Sequence, residues 1–129
     1  MMKDILFLTL AEVIDIHSNQ MRLYGGLPGI RDINLLSSDV AMPHASFHGE
    51  YLHNDICEMA AAYAFHISKN HPFVDGNKRT ALVSALVFPE LNGISISDSQ
   101  GKLYYAMLDL STGKLNKSEF ASILRKLKE

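Results

Sequence analysis

Cysteine appears once, at Cys57, so the chain has no internal disulfide and suits a reducing cytoplasm. Charge of one sign is missing too. Twelve basic against 14 acidic residues give a formal net charge of −2, which argues against a partner such as duplex nucleic acid. No apolar run is long enough to span a membrane, and the start Met1-Met2-Lys3-Asp4 with its short apolar continuation reads as no signal peptide. Repeats, low-complexity stretches and linkers are absent, and no group of histidines is spaced like a zinc site; His53 and His66 are too far apart to share a helix turn. What is present is 129 residues, 47% of them hydrophobic, which suits one globular domain over 1–129 with one core.

The periodicity is mostly helical. Residues 5–8 read as a small strand or as a staple onto the first helix. Thr9 and Glu12 form a capping box, and a helix follows to about Tyr24 with Leu10, Val13, Ile14, His17 and Met21 on its buried face. Gly25-Gly26 stops it. Asp32 caps a short helix through Leu35, Leu36 and Val40, ended by Pro43, and residues 44–49 read as a loop. The strongest pattern runs from about 52 to 69, where Ile56, Met59, Ala60, Tyr63, Ala64 and Ile67 share one stripe and Cys57 lies inside the pattern as a small core residue. A second core helix is expected from 77 to about 92, with a kink or an early end at Pro89 and Gly93 just past its end. Residues 94–96 alternate like a short strand. Ser97 or Asp98 then caps a helix burying Leu103, Tyr104, Met107, Leu108 and Leu110. Ser118 caps the last helix, whose Arg125, Lys126 and Lys128 read as a solvated end.

Between the two core helices lies the stretch His71-Pro72-Phe73-Val74-Asp75-Gly76-Asn77-Lys78-Arg79-Thr80. It is a loop feeding a helix N-terminus, where unpaired N–H groups and the positive dipole end attract phosphate. Gly76 adopts positive φ freely and Asn77 tolerates it, so the turn can aim backbone N–H groups into one concavity. Lys78 and Arg79 add positive charge there, Arg79 as a planar fork that fits phosphate oxygens. Asp75 is the hard oxygen ligand that Mg²⁺ prefers. His71 can be neutral near pH 7 and take a proton from a hydroxyl. Singly, each has a plainer reading: a capping histidine, a turn, a solvated Lys-Arg pair. Together they supply what phosphoryl or nucleotidyl transfer needs.

The stretch resembles the signature of the Fic/Doc family, HPFx(D/E)GN followed by Gly-Arg or Lys-Arg, through His71, Pro72, Phe73, Asp75, Gly76, Asn77 and Arg79. Lys78 stands where the Fic form has glycine and agrees with the Doc (death-on-curing) branch. Tyr24-Gly25-Gly26-Leu27-Pro28-Gly29-Ile30-Arg31-Asp32 and the helical run before the motif are similar to Doc-type chains as well. The resemblance implies an all-α Fic/Doc domain of five to seven helices with at most a minor strand element. It implies His71 as general base, Asp75 as Mg²⁺ ligand, Gly76, Asn77, Lys78 and Arg79 as the cradle for ATP phosphates, and a buried Phe73. His17 would help shape the site, and the segment after residue 44 would form a flap over it.

The implied function is that of a cytoplasmic toxin of a toxin–antitoxin pair. It would transfer phosphate from ATP to a Ser or Thr hydroxyl of a translation protein, elongation factor Tu by analogy with Doc. Lys78 favours this kinase reading over transfer of AMP, because its bulk and charge oppose seating the α- and β-phosphates in the turn. A silent binding module is the reading from another class, opposed by the complete set of expected residues. Ser46-Phe47-His48-Gly49-Glu50 matches only part of an inhibitory Ser/Thr-x-x-x-Glu-Gly/Asn segment, since Tyr51 ends it. Inhibition is therefore expected from an antitoxin with a disordered segment that folds on binding.

Overall fold

A computed structural model describes residues 4–129. The reading of Met1-Met2-Lys3 lies outside them. The elements are α1 (Leu10–Tyr24), α2 (Ile33–Ala41), a 3₁₀ turn (Met42–His44), a hairpin of β1 (Ser46–Phe47) and β2 (Glu50–Tyr51), then α3 (Ile56–Asn70), α4 (Asn77–Leu91), α5 (Lys102–Thr112) and α6 (Lys117–Leu127). The fold is all-α with one minor antiparallel pair, as expected, although the strands fall at 46–51 and not at 5–8 or 94–96. Residues 5–8 are irregular, with Leu8 buried. Ile96 makes only an isolated bridge to Lys128. The hairpin turns on His48 (φ 53°) and Gly49 (φ 79°), the positive-φ pair a two-residue turn requires.

Helix α3 is the axis, packed by α2, α4, α5 and α6. Its Met59, Tyr63 and Ile67 are fully buried, each worth about 1.5–3 kcal/mol of burial. Ala60, Ala61 and Ala62 are buried as well, as are Ala81 and Ala85 of α4, so small side chains let these two helices approach closely. Tyr63 stays satisfied because its hydroxyl oxygen accepts from the Leu8 N–H at 2.9 Å.

The structure corrects several expectations. Helix α3 starts four residues later than about 52, because Asp55 takes the N-cap and accepts from the Glu58 N–H. Helix α4 does not end early. It runs through Leu91, since Pro89 sits in the last turn, where its missing N–H removes one bond only. Asn92 then closes the end, donating from its amide to the carbonyls of Phe88 and Leu6. Helix α2 does end just before Pro43, at Ala41, and Pro43 lies inside the 3₁₀ turn that follows it.

Helix α5 has Gly101 at its N-cap, and Asp98 serves it from outside, accepting from the N–H groups of Lys102 and Leu103. Tyr104 and Leu108 are exposed on α5, and Ala106 takes the interior place. Asn116, not Ser118, caps α6, in a capping box with Glu119. Arg125 is no free helix end: it donates to Asp55 and Glu58 at 2.9 Å and ties α6 to the start of α3. His53 and His66 do meet, although not in a helix turn. Each Nε2 lies 3.2 Å from the Lys117 ammonium.

Candidate active site

The loop between α3 and α4 is built by its own sequence. Helix α3 ends at His71, which takes the left-handed conformation (φ 49°, ψ 56°) as C-cap. For a residue other than glycine this costs about 1–3 kcal/mol and persists only where the surroundings over-determine it. Phe73 follows as an anchor, 1% exposed, with its ring stacked on that of His17 at 3.9 Å and 4°. The other edge of His17 faces the Asp75 carbonyl oxygen, 2.8 Å from Nε2. Asn77 clamps the loop from the α4 side. Its amide donates to the Phe73 carbonyl at 3.0 Å, and its side-chain oxygen accepts the Phe73 N–H at 2.9 Å.

Gly76 enters α4 at φ 75°, and a Cβ there would stand 2.2 Å from the Met21 methyl. No side chain caps α4. The first N–H groups of the helix are therefore free of any side-chain acceptor. They adjoin a cleft of about 400 Å³ lined by His71, Val74, Asp75, Gly76, Lys78 and Arg79, together with Asn77. All six residues expected to carry the chemistry are gathered there.

Asp75 is exposed. Its carboxylate accepts the Leu27 N–H at 3.0 Å and the Gly76 N–H at 2.8 Å. Those two bonds, with the nearby Arg79 and His17 charges, hold its carboxyl below the usual range, so it stays ionised. A lone carboxylate with open lone pairs suits Mg²⁺, which keeps water and phosphate oxygens in its shell. Among the described residues no group of three His, Cys, Asp or Glu is placed to hold a metal by itself. Arg79 is steadied from α1. Its guanidinium donates to the Gly25 carbonyl at 3.2 Å and lies 5.7 Å from the Tyr24 ring centre. The Lys78 side chain is exposed and makes no hydrogen bond or ion pair among the described residues. It also borders a second, apolar cavity of about 320 Å³ with Leu82, Tyr104, Met107 and Leu108.

The model of the Fic/DOC family matches residues 7–89, which contain this loop, α1, α2, α3 and all but the end of α4. The chain belongs to the Fic/Doc family. It is 35% identical over 116 residues to the protein kinase doc of Escherichia phage P1, covering 90% of each chain. It is 38% identical over 74 residues to the toxin Doc of Mycolicibacterium smegmatis, covering 57% of each.

Sequence reasoning missed the second wall of the loop. The segment 29–32 runs antiparallel beside 72–74, with Ile30 bridged to Phe73. Val74 donates to the Gly29 carbonyl at 3.0 Å, and Arg31 and Asp32 donate their N–H groups to the Pro72 carbonyl at 2.7 and 3.0 Å. The Arg31 side chain was also missed, and nothing local marks it, because its partners lie some forty positions away.

Proposed function

We propose that this protein is the toxin of a toxin–antitoxin pair and transfers the γ-phosphate of ATP, taken as its magnesium complex, to a serine or threonine hydroxyl of a translation protein. One observation carries the reading: an uncapped helix N-terminus entered through a left-handed glycine, flanked by an ionised Asp75 and by His71 in the same cleft. The names of the two Doc relatives support it, one a kinase and one a toxin.

In this reading the backbone N–H groups of Asn77 and Lys78 and the Arg79 guanidinium receive phosphate oxygens, and Gly76, whose own N–H is held by Asp75, supplies the left-handed turn. Asn77 contributes through its backbone, since its side chain is engaged with Phe73. Asp75 would hold Mg²⁺, which when bound neutralises charge on the phosphates. His71 accepts the proton of the target hydroxyl at a ring nitrogen as that oxygen attacks. Lys78 places an ammonium at the first turn, where a glycine would leave room for the phosphates of an AMP donor. The short hairpin is the flap that orders the target backbone. The apolar cavity beside Lys78, with exposed Tyr104 and Leu108, receives the folding segment of the antitoxin.

The test uses ATP labelled at the α- or the γ-phosphate, incubated with purified elongation factor Tu and with a cell lysate. Transfer of the γ label, reduced about 10²–10⁴-fold in His71→Ala, is the expected result. Transfer of the α label instead would mean AMP transfer and would overturn the kinase reading. Label on no protein would turn the reading toward a binding module.

A further inference from the structure

We propose that Arg31 is a positioning residue for His71, acting as a side-chain cap on the end of α3. The inference rests on the reading of His71 as the group that accepts the hydroxyl proton.

The last carbonyls of a helix have no intrahelical donor and carry the negative end of its dipole. At the end of α3 the donor comes from another part of the chain. Arg31 Nε donates to the His71 carbonyl at 2.6 Å and Nη2 donates to the Asn70 carbonyl at 2.8 Å. The planar fork thus grips two successive carbonyls, which a single ammonium cannot do in the same way. Among the described residues Arg31 has no carboxylate within ion-pair distance, so its charge is directed at these oxygens.

The gripped peptides flank the residue that matters. The Asn70–His71 peptide and the His71–Pro72 peptide set φ and ψ of His71, which holds a left-handed conformation. Asn70 is tied a second time, its side chain donating to buried Asp39 of α2. Pro72 is held separately by the backbone N–H groups of Arg31 and Asp32. Removing the guanidinium therefore frees the two peptides around His71 and leaves the pairing of 29–32 with 72–74 in place. The backbone from which the His71 ring projects loses its fixed direction, while Asp75 and the α4 N-terminus, which in the proposed reading supply phosphate binding, keep theirs.

The experiment compares wild type, Arg31→Ala and Arg31→Lys by amide hydrogen exchange, by the His71 ring signals in NMR, and by the steady-state kinetics of label transfer. Arg31→Ala should broaden or shift the His71 ring signals and raise exchange in the last turn of α3 through His71, while the Phe73 and Val74 amides, held by Asn77 and Gly29, and the centres of α3 and α4 stay protected. The same variant should lower kcat about tenfold or more at nearly unchanged KM for ATP, and Arg31→Lys should recover part of it. Unchanged exchange and ring signals overturn the proposal whatever the activity. Altered signals with unchanged kcat also overturn it, as does an equal loss in KM, which would mean that the whole cleft had moved. If wild type transfers no label, the reading of the reaction fails on its own, and the exchange and ring signals still decide for or against Arg31.

Discussion

At the scale of single residues, the site depends on side chains that hold the backbone as much as on those that face the cleft. Asn77 is the clearest case. In the sequence it looks like a turn residue and a phosphate ligand, and the structure spends its amide on both polar groups of Phe73. Asn77→Ala would leave that buried N–H and carbonyl without partners. The expected cost is about 1–3 kcal/mol, read as a lower midpoint in urea unfolding. Asn77→Asp keeps the acceptor and loses the donor, so its midpoint should fall between the two. That His71, Asp75, Gly76, Lys78 and Arg79 line one cleft was legible because they are compressed into one short stretch. Arg31 was not, because a guanidinium that caps a helix from 39 and 40 positions away leaves no local pattern.

At the scale of elements, caps decided which helix boundaries were readable. The Thr9 and Glu12 box was legible and holds, with Thr9 accepting the Glu12 N–H at 3.1 Å. The same rule applied to Asn116 and Glu119 finds the start of α6, where Ser118 was the weaker choice because no acidic residue follows it at the required spacing. Asn116→Ala should therefore destabilise the protein by about 1 kcal/mol in thermal or urea unfolding, and Ser118→Ala should leave it nearly unchanged. The start of α3 was misplaced because apolar periodicity continues upstream of Asp55, the residue whose carboxylate caps the helix and also receives Arg125. The hairpin was unreadable because strands of two residues carry no period.

At the scale of the whole molecule, two titratable groups, half-buried His66 and buried Asp39, act on stability in opposite directions. Burial, then the charges of Lys117 and His53, push His66 down to about 4. Its folded value lies below the unfolded one, so the stability it permits is present above about pH 6.5 and falls as pH drops from there toward 4. Burial raises Asp39 to about 6 against an opposing hydrogen bond from Asn70. Its contribution is full below about pH 4 and is lost as pH rises through 6. The two slopes overlap between about pH 4 and 6 and oppose one another. Melting temperatures of His66→Leu across that range should decline more steeply with rising pH than those of wild type, and those of Asp39→Asn should climb more steeply. Parallel curves for the three proteins would mean that neither group is linked to folding.

The struts of the loop between α3 and α4 also fix when it can exist. Leu27 reaches Asp75 across 48 positions, Gly25 reaches Arg79 across 54 and His17 reaches Asp75 across 58. Closing such long loops is entropically costly and slow compared with forming any one helix. A nascent chain still short of α4 lacks the helix N-terminus that lines the cleft and the Asn77 clamp on Phe73, however much of α1 and α3 has already formed. For the proposed function, competence would thus arrive late in the birth of each molecule, and the interval before the cleft is complete is one in which an inhibitor could find the emerging surface.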